Sequence, residues 1–155
     1  MRDWDKLRAL TGAEKRTLVA ALATLPAVAF GVATLGYGKT HALMARWPGP
    51  KSTGRRGGPE AHAEAERVAR VVAIAASRGP VRTSCLRRSL VTWWLLRARG
   101  IETRVRVGVG GFDRRDLNAH AWVEHEGRPV GETPDVSERY AAFDRDFGAA
   151  ADRAS

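Results

Sequence analysis

Cysteine occurs once in this chain of 155 residues, at Cys85. A single thiol cannot close an internal disulfide, so nothing asks for an oxidising compartment and a cytoplasmic setting is expected. There is no Cys-x-x-Cys pair and no dense His/Cys cluster, which argues against a structural zinc site. No metal and no cofactor is expected. Acid is scarce too: 17 Asp and Glu stand against 26 Lys and Arg, a formal charge of +9. That balance bears on solubility and anionic partners rather than on fold. Internal repeats are absent. The one long uncharged run, the 22 residues 17–38 (TLVAALATLPAVAFGVATLGYG), is poor in large aliphatic side chains. Its length suffices for a membrane span. Ala, Gly and Thr fill much of it, however, and gain little from hydrocarbon. The expectation is one or two apolar helices packed on the domain core, with membrane contact through 17–38 as the alternative.

Three regions follow along the chain. Residues 1–47 form an N-terminal helical region in which Leu7, Leu10, Leu18, Leu22 and Leu25 recur at helical spacing. Pro26 is expected to kink or split the helix. Residues 48–59, PGPKSTGRRGGP, read as a linker. Residues 60–155 hold the compact domain. A helix is predicted over 60–77, with Ala65, Val68, Ala69, Val72 and Ala76 on one face. A second runs over 84–99, with Ser84 as N-cap and Gly100 as its stop. Its apolar face is Leu86, Leu90, Trp93, Trp94 and Leu96. Strands are predicted over 101–109, 119–124 and 128–132, and a last helix over 135–147. Helices followed by antiparallel strands make an α+β fold.

Cys85 opens the second of these helices. His120 stands in a strand 35 residues later, and Glu132 follows after a further 12. A thiol becomes a useful nucleophile when a base or a positive dipole favours its anion. The first turn of a helix supplies that dipole, and its N–H groups can hold an oxyanion. His120 suits the role of general base, and a carboxylate behind it would fix one tautomer. Glu132, Asp113, Asp116 and Asp135 are the candidates for that acid. If His125-Glu126-Gly127 makes a three-residue hairpin loop, Glu124 pairs with Arg128 and His120 faces Glu132 directly. A two-residue loop would put Glu132 on the other face. Trp122 shares the His120 face and walls the site, while Arg87 and Arg88 are candidates for substrate binding. His125 falls on the opposite face and is expected to be exposed. His41 and His62 are expected to be structural or solvent-facing.

Several stretches of this chain resemble one family. They are Ser84-Cys85-Leu86 at a helix start, Leu95-Leu96-Arg97-Ala98-Arg99-Gly100-Ile101, and Ala119-His120-Ala121-Trp122-Val123-Glu124. Glu126-Gly127-Arg128 and Glu132-Thr133-Pro134-Asp135-Val136 complete the set. The family is the transglutaminase-like cysteine proteases, and within it the leader peptidases of lasso peptide biosynthesis. The resemblance implies a papain/transglutaminase-like core, with a nucleophile helix packed on a small antiparallel sheet and helices preceding it. It implies Cys85 as nucleophile, His120 as base and Glu132 as third member, where the family usually carries Asp. It implies removal of the leader from a ribosomally made precursor peptide. The implied partners are a separate leader-binding recognition protein and a lasso cyclase.

Two rival functions use other features. A transglutaminase or other acyl transferase would use the same three residues. A basic nucleic-acid-binding protein would use Arg78, Arg82, Arg87, Arg88, Arg97, Arg99, Arg104 and Arg106, which cluster against a lone Glu102. No helix-turn-helix, zinc finger or aromatic RNA-binding motif accompanies them, so nucleic acid is not an expected partner.

Overall fold

The computed structural model describes residues 10–47, 56–79, 83–110 and 118–142. Leu7, Arg82, Asp113 and Asp116 therefore lie outside the described residues, as does most of the linker. Helix α1 spans Gly12–Arg46. Thr11 caps it in a reciprocal pair: its hydroxyl accepts from the Glu14 N–H, and the Glu14 carboxylate accepts from the Thr11 N–H at 2.9 Å. Arg70 of the next helix pairs with the same carboxylate. The backbone leaves helical geometry at Gly36 (φ 79°, ψ 171°), not at Pro26 as expected. Glycine takes a positive φ with no Cβ penalty, whereas proline in mid-helix forfeits only one hydrogen bond if the chain bends slightly. The Thr40 hydroxyl donates to the Gly36 carbonyl at 2.7 Å, just past the break. The buried side of α1 runs through Thr17, Ala21, Leu25, Val28 and Ala29, so Leu22 of the expected stripe is turned outward.

Helix α2 (Gly58–Arg78) carries Pro59 in its first turn and buries Ala61, Ala65, Val68, Ala69, Val71, Val72 and Ala75. Small residues on this face let α1 and α3 approach closely. Helix α3 (Cys85–Arg97) is the central one. Ser84 caps it, and it buries Ser89, Leu90, Val91, Thr92, Trp93, Leu95 and Leu96. Gly100 (φ 74°) ends it, and the Ile101 N–H returns to the Leu96 carbonyl at 3.1 Å. Arg99 then ties three helices together. It donates to the Leu95 carbonyl and the Thr17 hydroxyl, and lies 3.7 Å from Glu64.

The sheet is antiparallel in the order β3-β2-β1-β4, with β1 Arg104–Gly110, β2 Asn118–His125, β3 Arg128–Val130 and β4 Ala141–Ala142. Ile101 stays out of β1 and instead bridges Arg56. Ala121, Val123 and His125 of β2 are buried on the face that meets the helices; Val123 and its partner Val130 join the core of Leu25, Val72, Leu90 and Leu96. His125 is thus buried rather than exposed, because its face of the sheet is the covered one. Its ring lies 5.7 Å from that of His62 in α2. Beyond β3, a short helix α4 (Val136–Arg139) gives way at Tyr140 to β4, which pairs with Gly108 and Val109. Of the helix expected over 135–147, the described part holds four residues and then a strand, since strand pairing outweighs local helix propensity there, and 143–147 lie outside the described residues.

Candidate active site

The β2–β3 hairpin sets the site's register. His125 pairs with Arg128, leaving the two-residue turn Glu126-Gly127. Both turn residues have positive φ, 51° and 75°. Paired positive values are what the twist of a tight hairpin demands. Glu124 consequently faces Pro129, not Arg128, and the expected three-residue loop is not the one formed. A regular continuation of β3 would set Glu132 across from Ala121, on the face away from His120.

The chain does not continue regularly. Gly131 takes φ 69°, and its N–H is held by both oxygens of the Glu66 carboxylate, at 3.1 and 3.2 Å. This break swings Glu132 round to His120. The His120 Nε2 lies 3.3 Å from the Glu132 Oε1. The pairing expected from the sequence is present, by a different route.

The same Glu132 oxygen accepts from Arg88 Nη2 at 2.7 Å. Arg88, considered above for substrate binding, thus grips the acid. Arg87 gives its backbone N–H to the Ser84 hydroxyl. Asp135 is occupied elsewhere. A hydrogen bond from Thr133 holds its carboxyl below the ordinary value, aided by Arg139 at 4.0 Å. Among the described residues, Glu132 is the carboxylate at His120.

Cys85 is the first residue of α3 and a half-buried free thiol. One turn on, the Ser89 hydroxyl donates to the Ala121 carbonyl at 3.0 Å. That bond pins the front of α3 to the residue beside His120. Cys85, Arg88 and Ser89 occupy one side of the helix, as i, i+3 and i+4 positions do.

Trp122 and Tyr140 complete the surroundings. The Trp122 ring is buried, lies 6.2 Å from the His120 ring at 16°, and donates its N–H to Glu124 at 2.9 Å. Tyr140 lies 5.0 Å from His120. It fits because β1 carries glycine beneath it. A Cβ at Gly108 would stand 3.0 Å from Tyr140 and Trp122 atoms, and one at Gly110 would stand 2.7 Å from the Tyr140 ring. Tyr140, Glu66 and Gly131 were not among the residues singled out from sequence. Two glycines alternating on one face of a strand were the available signal for Tyr140.

The arrangement can move one proton. With Nε2 facing a carboxylate that Arg88 keeps in place, the tautomer carrying hydrogen on Nε2 is favoured, which leaves Nδ1 as the basic nitrogen. Among the described residues, no group of three or more His, Cys, Asp or Glu comes together to hold a metal ion.

A family model described as the transglutaminase-like superfamily matches residues 26–144. No curated protein and no solved structure matches the chain. The matched span takes in Cys85, His120 and Glu132, and the helices-plus-antiparallel-sheet architecture agrees with it. The superfamily includes cysteine peptidases and acyl transferases. By its matched sequence, the chain belongs to the transglutaminase-like superfamily.

Proposed function

We propose that this protein is a cysteine peptidase that removes the leader from a ribosomally made lasso peptide precursor. One observation carries the peptidase reading: His120 and Arg88 converge on a single oxygen of Glu132, with Cys85 leading the helix that bears Arg88. The leader specificity rests on the sequence resemblance around Cys85 and His120.

In this reading His120 Nδ1 takes the Cys85 proton, and the sulfur attacks the carbonyl carbon of the scissile peptide. Ser84 occupies the N–H groups of Arg87 and Arg88, through its hydroxyl and its carbonyl. The N–H groups of Cys85 and Leu86 are then the ones that serve the oxyanion. Collapse breaks the C–N bond, His120 gives its proton to the leaving amine, and a thioester remains. Water, deprotonated by His120, hydrolyses the thioester and restores the thiol. Glu132 stabilises the imidazolium at each transfer. A separate leader-binding protein presents the precursor, and a cyclase takes the product.

The basic run is less available to nucleic acid than its sequence suggests. Arg88, Arg99 and Arg106 are engaged with Glu132, Glu64 and Glu124, and Arg97 lies over the Trp93 ring. Acyl transfer to an amine uses the same residues and differs only in what attacks the thioester.

The test is incubation with candidate precursor peptides, with and without a leader-binding partner, read by mass spectrometry. Cys85→Ala and His120→Ala are expected to abolish cleavage with the fold intact, and Glu132→Gln to cost less. Wild-type cleavage by Cys85→Ala would refute the proposal. Amide formation in place of hydrolysis when a primary amine is added would assign the transferase instead.

A further inference from the structure

Tyr140 is half-buried, yet it lies outside the core cluster that unites the helices with Val123 and Val130. Its ring goes instead to His120 at 5.0 Å and to Trp122 at 6.3 Å, and those two rings stand 6.2 Å apart. All three distances fall in the range of direct aromatic contact. They make a triangle, so His120 is not sandwiched but meets two rings that also meet each other. Room for Tyr140 comes from β1. Gly108 is the cross-strand partner of His120, and Gly110 is that of Asn118. A Cβ at either glycine would press on Tyr140. Glycine weakens a strand interior and marks close approach of another group. Here two glycines clear the strip of sheet beside His120, and Tyr140 takes it. Further contacts fix the residue. The Asn118 amide donates to its hydroxyl at 3.4 Å, its backbone N–H returns to the Val136 carbonyl at 3.1 Å, and Ala141 and Ala142 pair with β1.

His120 has need of such a neighbour. The last torsion of a histidine side chain is broad, so the plane of the ring is set by what surrounds it. Glu132 holds one ring atom, Nε2, at 3.3 Å. A contact at one atom leaves the tilt of the ring open, and with it the position of Nδ1. Packed aromatic neighbours close that freedom. Trp122 is itself fixed, by burial and by its N–H bond to Glu124. Tyr140 supplies the second wall, and it is the nearer of the two rings.

We propose that Tyr140 is a positioning residue: its ring, seated on Gly108 and Gly110, holds the His120 imidazole at the angle that presents Nδ1 to Cys85. The proposal rests on the Cys85–His120 chemistry assigned above. A residue that only ties β4 to the sheet would affect stability and leave the action of His120 alone. The test needs no peptide substrate. Cys85 is the one thiol of the chain, so the rate of alkylation by iodoacetamide reports on it alone. The rate is measured at about pH 6.5, where a thiol reacts with help from a base, and at about pH 9.5, where it ionises without help. Tyr140→Leu keeps apolar bulk. It is expected to lower the rate at the lower pH by about tenfold and to leave the rate at the higher pH unchanged. Tyr140→Phe keeps the ring and should retain most of the low-pH rate. His120→Ala gives the reference for a lost base. An intact low-pH rate in His120→Ala would overturn the assigned chemistry and this proposal with it. A loss in His120→Ala without one in Tyr140→Leu would overturn the positioning role alone. Equal losses in Tyr140→Phe and Tyr140→Leu would transfer the effect to the hydroxyl and overturn the role of the ring. A faster Tyr140→Leu reaction would make the ring a cover over the thiol and overturn it too. Gly110→Ala pushes the ring aside instead of removing it and should reproduce the Tyr140→Leu loss. It replaces Tyr140→Leu if circular dichroism shows that variant unfolded.

Discussion

Gly131 lies so close to Ala69 that a β-carbon added to it would stand 2.6 Å from the Ala69 Cβ. Together with its positive φ, this leaves glycine as the residue that fits where β3 ends and Glu132 turns to His120. Gly131→Ala is expected to lose about 1–2 kcal/mol from backbone conformation alone, with the clash adding to it. Melting should fall by roughly 2–4 °C per kcal/mol in a chain of this size. Ala69→Gly in the same background relieves the clash and should recover part of the loss. Additive losses in thermal melts would contradict this account.

Glu66 acts at one remove. Its carboxylate holds the Gly131 N–H, and the Gly131 bend places Glu132. Glu66→Ala should lower kcat by about tenfold with little change in KM, because a misplaced acid costs chemistry and not substrate binding. Glu66→Gln keeps an acceptor oxygen and should restore most of the rate. Equal losses in the two variants would show that the charge matters and the hydrogen bond does not.

Arg88 invites a similar comparison. Both partners of its ion pair with Glu132 retain some exposure, so its effect on global stability should be small. Its effect on turnover should be larger. Arg88→Met is expected to lower kcat by about tenfold, and Arg88→Lys to recover part of that through a point charge without the planar fork. A raised KM with unchanged kcat would return Arg88 to substrate binding.

His62 predicts a pH dependence of stability. Burial, and next the Arg128 charge, hold its imidazole below the ordinary value of 6.5; Glu66 and Glu126 oppose them, and the His125 ring faces it. Its Nδ1 is buried without a partner. The unfolded chain therefore takes up a proton at a higher pH than the folded one. Stability should fall as pH drops below about 6.5, and level off once the folded imidazole is also protonated. Melting temperature measured from pH 8 to pH 5, a range set about that ordinary value, should show a shallower slope for His62→Gln. An unchanged slope would refute the assignment.

Much of the site was legible in the sequence because it rests on local rules. Ser84, Cys85 and Gly100 mark a helix by its cap, start and stop, and α3 follows them. The alternation in 119–124 predicts β2 and the face that carries His120. What misled was the part decided by tertiary packing. His125-Glu126-Gly127 fits a hairpin turn of two residues or three, and the two-residue choice reversed the face on which Glu132 was expected. Gly131 then reversed it again, through contacts with Ala69 and Glu66 that lie 62 and 65 positions away. Tyr140 escaped notice because the strand after it pairs with β1, a long-range event that helical spacing over 135–147 does not reveal. The break in α1 fell at Gly36 and not at Pro26, a choice that the spacing of apolar residues does not reveal.

Arg88 and Cys85 ride on one helix, less than a full turn apart. The thiol and the clamp on the acid therefore share a single mount, whose position Ser89 fixes against β2. A small tilt of α3 would carry the thiol and the Arg88 guanidinium together and preserve their spacing. Sliding the thiol by one position, to Ser84 or Leu86, would rotate it about 100° around the helix, off the side it shares with Arg88. The phase of the thiol on α3 is thereby tied to that of the guanidinium that holds the acid.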